Sequence, residues 1–154
     1  MADTKELNQN IINLLTKQGF VIVSSINEDG AIHSSAKGVV GIEESGRIFI
    51  IDLYRARTYN NLKVNPRVTV TFVDEHKFEG YALQGQAKIV EKKDIAGSII
   101  AEWEDRVIQR ISKRMIRNLH NGSSSSHHPE ASFPHPEQLI EINVEEIIDL
   151  APSQ

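Results

Sequence analysis

The sequence predicts a mainly β domain of the α+β class, a six-stranded antiparallel Greek-key barrel with a short helix after strand 3 and a long helix before the last strand. Three observations predict it. Runs rich in Val, Ile and Phe recur between turn signals at Glu28-Asp29-Gly30, Glu44-Ser45-Gly46 and Glu75-His76-Lys77. The first run carries apolar residues on both faces, with Phe20, Ile22 and Ile26 on one and Val21 and Val23 on the other. A one-sided sheet alternates more cleanly, so a closed barrel whose outside also meets a helix or a second subunit is expected. Finally, apolar residues at helical spacing appear before the first run and again over 94–120.

Taken in order, residues 3–18 place Leu7, Ile11, Ile12, Leu14 and Leu15 near helical spacing, with Asp3 or Thr4 as the cap and Gly19 as the stop. Strands follow at 20–27, 31–41 and 47–53. A short polar helix over 55–65 ends at Asn65-Pro66, and strand 67–74 comes next. A longer strand spans 78–91, with Gly80 and Gly85 as bulge or bend positions. In the helix over 94–120, Ile95, Ile99, Trp103, Val107, Ile111 and Met115 fall on one stripe. Residues 121–136 are a Ser/His/Pro-rich loop, expected to be mobile. The last strand, 138–149, alternates Leu139, Glu141, Asn143 and Glu145 with Ile140, Ile142 and Val144.

A chain of 154 residues, 40% hydrophobic and 25% charged, suits one domain over 1–154 with a real core. The formal net charge of -4 argues against a general nucleic-acid binder, though it leaves room for a local basic pocket. With no cysteine, thiol catalysis, disulfides and thiolate-ligated metals are excluded. No apolar run reaches the ~18 residues that a membrane span needs. The N-terminus lacks the apolar region of a secretory signal, so a cytoplasmic location is expected.

Chemistry concentrates around strand 3. A turn at Glu44-Ser45 pairs Glu43 with Gly46 and sets Lys37 opposite Asp52; a register displaced by two sets it opposite Tyr54. Either way Lys37 lies near Arg55, Arg57 and Thr58, which open the short helix. Cations are unfavourable at a helix N-terminus unless an anion is near, and a phosphate there would draw on both charge-assisted bonds and helix amides. Along strand 2, His33, Ser35 and Lys37 share one face, while Ser34, Ala36 and Gly38 share the other and leave space for a flat ring. The plainer readings stand beside these. Lys37 and Asp52 form only a cross-strand ion pair, Arg55 and Arg57 are solvated, and Thr58 is an internal helix residue.

These residues resemble the pyridoxamine 5'-phosphate oxidase-like family of FMN-binding split barrels. The resemblance covers roughly Leu7 to Val90 and rests on the order Gly-Phe-Val-Ile-Val-Ser-Ser, Asp-Gly, His-Ser-Ser-Ala-Lys, Gly-Arg-Ile-Phe-Ile-Ile, Arg-Thr-Tyr-Asn-Asn-Leu and Asn-Pro-Arg-Val-Thr-Val-Thr-Phe, closed by Leu-Gln-Gly-Gln-Ala-Lys-Ile-Val. It implies a homodimer with two flavins at the subunit interface. The second-strand segment falls on Ile32 to Lys37, third-strand flavin contacts on Ile50 and Ile51, and phosphate ligands on Arg57 and Thr58, with Arg55 nearby. There are departures: Ile32 stands where the oxidase often has Arg, Gly80 where it has a flavin-contacting Gln, and the ending Asp149-Leu150-Ala151-Pro152 lacks the oxidase's Arg. The expectation is therefore an FMN-dependent oxidoreductase other than the vitamin B6 oxidase, acting on an unknown small-molecule substrate or electron donor. Two alternatives keep the barrel: a non-catalytic flavin or electron-transfer module, and a module that binds a deazaflavin or haem.

Other candidates carry less. His120, His127, His128 and His135 cluster in or beside the Ser-rich loop without a preorganised second shell, so no metal is expected. The basic second half of the long helix lacks the interleaved aromatics of a nucleic-acid surface. Trp103 on the apolar stripe reads as core or dimer packing.

Overall fold

The computed structural model describes residues 4–53, 56–121 and 136–152, with side chains from 110 to 121 outside that description. Its strands are β1 (Phe20–Ile26), β2 (Ile32–Ile42), β3 (Arg47–Asp52), β4 (Arg67–Asp74), β5 (Glu79–Glu91) and β6 (Gln138–Asp149). Its helices are α1 (Gln9–Gln18), α2 (Arg57–Val64) and α3 (Gly97–Asn121), with a 3-10 turn at Lys92–Asp94. The strands close a barrel in the order β1-β2-β3-β6-β5-β4, all pairs antiparallel. The expected six-stranded split barrel is what forms.

Inward residues alternate along every strand, and Val23, Ile50, Val70, Leu83, Ile140 and Ile142 are fully buried in the interior. Ile11, Leu14 and Leu15 of α1 join that core, as does Leu62 of α2. The two helices cover opposite ends. Lys17 of α1 pairs with Asp74 at the β4–β5 turn at 3.0 Å. At the other end, Asn61 of α2 reaches Ser25 and Asn27 beside the β1–β2 turn. A second core lies outside the barrel, where Trp103 and Val107 of α3 cover Val40, Ile51 and Leu139. Among the described residues, no helix is long and apolar enough to cross a membrane.

α1 starts later than the sequence suggests: Thr4 does not cap it, and Asp3 lies outside the described residues. Asn8 caps it, its side chain accepting from the Ile11 N–H at 3.0 Å. The residues before it are drawn into tertiary pairing: the Lys5 N–H donates to the Val144 carbonyl and the Leu7 N–H to that of Glu44. Leu7 then packs in the same core as Ile12, so the chain enters the helix through a hydrophobic staple. This close approach needs Gly46, which sits at φ +100, and a Cβ there would lie 2.1 Å from the Lys5 carbonyl oxygen.

Gly85 marks a bulge, as expected, where the β5–β6 register shifts between Gln84 and Gly85. Gly80 does not, and it pairs regularly with Val73. The outer face of the barrel is ordered in rows. Ala36, Ile22, Thr71, Ala82 and Ile148 follow one another across β2, β1, β4, β5 and β6. Ser34, Ser24, Thr69, Gln84 and Glu146 form the parallel row. Phe20 and Ile22 are exposed on this face.

Candidate functional site

The site is built where β2, β3 and α2 meet. Near their turn, β2 and β3 pair Ile42 with Ile48 and Gly41 with Phe49. Continued unbroken, that register sets Lys37 against Leu53. A bulge between Val39 and Gly41 removes one residue from the count, Gly38 then pairs with Ile51, and Lys37 falls opposite Asp52. The expected Lys37–Asp52 juxtaposition is thus present. The turn itself differs by one residue from expectation: Glu43 exchanges its ladder bond with Arg47, while Gly46 N–H only closes the turn onto the Glu43 carbonyl.

Lys37 Nζ donates to Asp52 Oδ1 at 2.7 Å, with the two side chains 11% and 2% exposed. Gln138 Nε2 donates to the other carboxylate oxygen. The cross-strand ion pair therefore exists, and it is buried rather than superficial. An ammonium carries three donors, so this pairing does not use up Lys37.

Two steps back along the same face of β2, Ser35 Oγ lies 3.1 Å from Thr58 Oγ1. Thr58 is buried on the underside of α2, together with Asn61 and Leu62. Asn61 Nδ2 donates to Ser25 Oγ at 3.0 Å and to Asn27 Oδ1 at 2.9 Å, which fixes the helix across β1. Farther along, the Tyr59 hydroxyl donates to Glu91 Oε1 at 3.1 Å. Glu91 also accepts from Lys63, and that bond, followed by Tyr59, holds the Lys63 ammonium above the ordinary lysine range.

The first turn of α2 is unusual for a helix start. Ala56 offers no side-chain cap and there is no acidic residue in the turn. Arg57 is instead the first helical residue, and it is exposed. Arg55 lies outside the described residues, as do 122–135, which hold His127, His128 and His135 and most of the expected Ser/His/Pro loop. Among the described residues, no group of three or more His, Asp or Glu is placed to hold a metal.

The remaining site candidates separate. His33 shares the inward face with Ser35 and Lys37 and is half-buried opposite Ser25. Ser34 points outward and meets Ser24 Oγ at 2.9 Å. Ile50 lies in the barrel interior, whereas Ile51 lies under α3, so both hold scaffold positions behind the site. Of the small outward residues on β2, Ser34 and Ala36 are open, but Gly38 is covered by Trp103. A cleft of about 610 Å³ lies on the outer face beside Ser24, bounded by Thr69, Gln84, Arg67 and Glu146. It is lined by none of Lys37, Arg57 and Thr58.

Asp52, Asn61 and Gln138 are the parts of this constellation to which sequence reading gave no site role. A signal for two of them exists. Asp52 continues the inward alternation of Ile48 and Ile50, and Gln138 that of Ile140 and Ile142, so each is a polar residue on a core-facing position.

Fold and topology define the chain as a six-stranded split barrel. The family model for pyridoxamine 5'-phosphate oxidase matches residues 7–151, and the chain belongs to that family, whose barrels are FMN-binding. Solved structures with the same fold include a Lactobacillus delbrueckii protein provisionally assigned as a pyridoxamine 5'-phosphate oxidase. It has a TM-score of 0.65 and 17% identity, covering 96% of this chain and 99% of its own. HupZ of Group A Streptococcus gives 0.63 and 16%, covering 96% of each chain. A pyridoxamine 5'-phosphate oxidase-related, FMN-binding protein from Nostoc punctiforme gives 0.59 and 10%, covering 90% of this chain and 78% of its own. None of the curated proteins matches the chain.

Proposed function

We propose that this protein binds FMN at the interface of a homodimer and acts as an oxidoreductase other than the vitamin B6 oxidase. The observation that carries the reading is the Ser35–Thr58 hydroxyl pair at the start of α2, a helix that opens on Arg57 without an acidic residue or a side-chain cap. A cation at that position is unfavourable by itself and favourable beside an anion. Two hydroxyls, a guanidinium and the first helix amides form a donor set that fits a phosphate monoester. Arg57, Thr58 and Ser35 would hold that group, joined by Arg55 and by the remaining donors of Lys37. His33, on the same face, would meet the ligand. Ser34 and Ala36 would frame the ring from the open side of β2, with Ile50 and Ile51 as the rigid backing.

When bound, the flavin would supply the hydride or electron chemistry; the protein supplies binding, orientation and electrostatics. Support for the dimer comes from the row Ala36–Ile22–Thr71–Ala82–Ile148, a run of mostly small and apolar side chains on the outer surface of the barrel, with Ile22 and Phe20 exposed. Such a face is suited to a second copy of itself. The adjoining cleft would give a substrate access close to the partner subunit. The Nostoc punctiforme relative, described as FMN-binding, agrees with this choice of cofactor.

The test is direct. Protein purified and incubated with FMN is expected to retain it through gel filtration and to quench its fluorescence. It is then expected to oxidise a reduced nicotinamide or pass electrons to a simple acceptor. Retention without turnover would leave a flavin carrier; no retention at all would remove the proposal.

A further inference from the structure

Lys37, Asp52 and Gln138 occupy inward positions on three neighbouring strands at the barrel end that α2 covers. Asp52 is held from both sides. One carboxylate oxygen accepts from Lys37 Nζ at 2.7 Å and the other from Gln138 Nε2. Its backbone is tied as well, because the Glu137 N–H donates to the Asp52 carbonyl at 3.0 Å. With its side chain only 2% exposed, this carboxylate has nowhere to swing when an anion approaches Lys37. An arriving phosphate therefore meets a pair of zero net charge instead of a free cation. Asp52 also holds the ammonium in its own charge-assisted bond, and freeing it to turn fully to a phosphate is worth about tenfold or more in binding.

We infer that Asp52, positioned by Gln138, is a specificity-determining residue: a built-in counter-anion that limits how strongly Lys37 favours a phosphorylated ligand over its unphosphorylated form. This rests on the phosphate site proposed above. The pair would thus keep the empty site neutral and leave discrimination chiefly to Arg57 and the start of α2. A purely structural role for Asp52 would instead weaken phosphorylated and unphosphorylated ligands alike when Asp52 is altered.

The experiment compares wild type, Asp52→Asn, Asp52→Ser and each combined with Lys37→Met. The serine variant leaves room for water to hydrate the ammonium and serves if the asparagine variant does not fold. FMN and riboflavin are titrated by fluorescence quenching, and the melting temperature is followed against added inorganic phosphate. The expected result is a rise of about tenfold in the FMN-to-riboflavin affinity ratio on neutralising Asp52, abolished by Lys37→Met. An unchanged ratio in the folded variant, or a rise that survives Lys37→Met, overturns the inference. If wild type binds neither flavin, the flavin reading falls separately and the melting data decide. Phosphate stabilisation gained on neutralising Asp52 and lost with Lys37→Met upholds the counter-anion; no gain refutes it.

Discussion

Trp103 of α3 packs against Gly38 of β2, so close that a Cβ at Gly38 would meet Trp103 Cζ3 at 2.9 Å. The absent side chain is what lets the long helix seat on the barrel, and Trp103 is fully buried there with Val107. Trp103→Ala is expected to cost about 3–5 kcal/mol in denaturant unfolding, and Gly38→Ala about 1–3 kcal/mol through overpacking. The two should couple, because removing the indole makes room for the methyl. A double mutant whose loss equals the sum of the single losses would contradict the packing relationship.

Arg57 and Thr58 give separable predictions. Arg57 is exposed, so Arg57→Ala should leave stability unchanged while weakening FMN by about 1.5–3 kcal/mol and riboflavin hardly at all. Thr58→Val keeps the shape but strips Ser35 of its hydroxyl partner, which should cost about 1–3 kcal/mol of stability along with FMN affinity. Lys37→Ala differs from both, since it leaves Asp52 buried beside Gln138 without its cation, at a cost of about 3–5 kcal/mol. Equal losses of FMN and riboflavin affinity in Arg57→Ala would contradict the phosphate assignment.

The barrel was legible because its signals are local. β-branched runs, turn residues and the Ile140-Ile142-Val144 alternation each fix a strand without knowledge of the rest. Lys37 opposite Asp52 was legible too, although the register at the turn was off by one and the bulge at Val40 made good the difference. What escaped depends on partners far away in sequence. Leu7 has helical spacing, yet its amide and that of Lys5 are claimed by the Glu44 and Val144 carbonyls, so α1 begins at Gln9. Gln138 binds an aspartate 86 positions earlier, and Gly38 is occupied by a tryptophan from a helix that sequence alone could not dock.

Acid stability should depend on Asp74. The Lys17 ammonium, with the amides of the β4–β5 turn behind it, holds this carboxyl below its ordinary range. A depressed carboxylate contributes stability that is fully present above the unfolded value of about 3.9 and lost as pH falls through the lower folded value. Glu43, held down by Arg47, behaves in the same sense. Melting temperature between about pH 5 and pH 2 should therefore fall less steeply in Asp74→Asn than in wild type. Parallel acid limbs would show that the α1–β4 contact contributes nothing in solution.

The outer sheet face yields the remaining prediction. Ile22 stands between Ala36 and Thr71 in the row that runs from Ala36 to Ile148, and it is 43% exposed in the single chain. In a two-fold dimer any change on this face is presented twice, so Ile22→Glu sets two carboxylates against an apolar surface and near one another. Because the position is already half open to water, the fold of one chain should tolerate the charge, with little change in far-ultraviolet circular dichroism. Sedimentation is expected to give twice the chain mass for wild type and the single-chain mass for Ile22→Glu. FMN affinity should fall with the loss of the dimer, because Ser34 and Ala36 open onto the same face. A wild-type protein that sediments as one chain and still binds FMN in full would separate the flavin site from any interface.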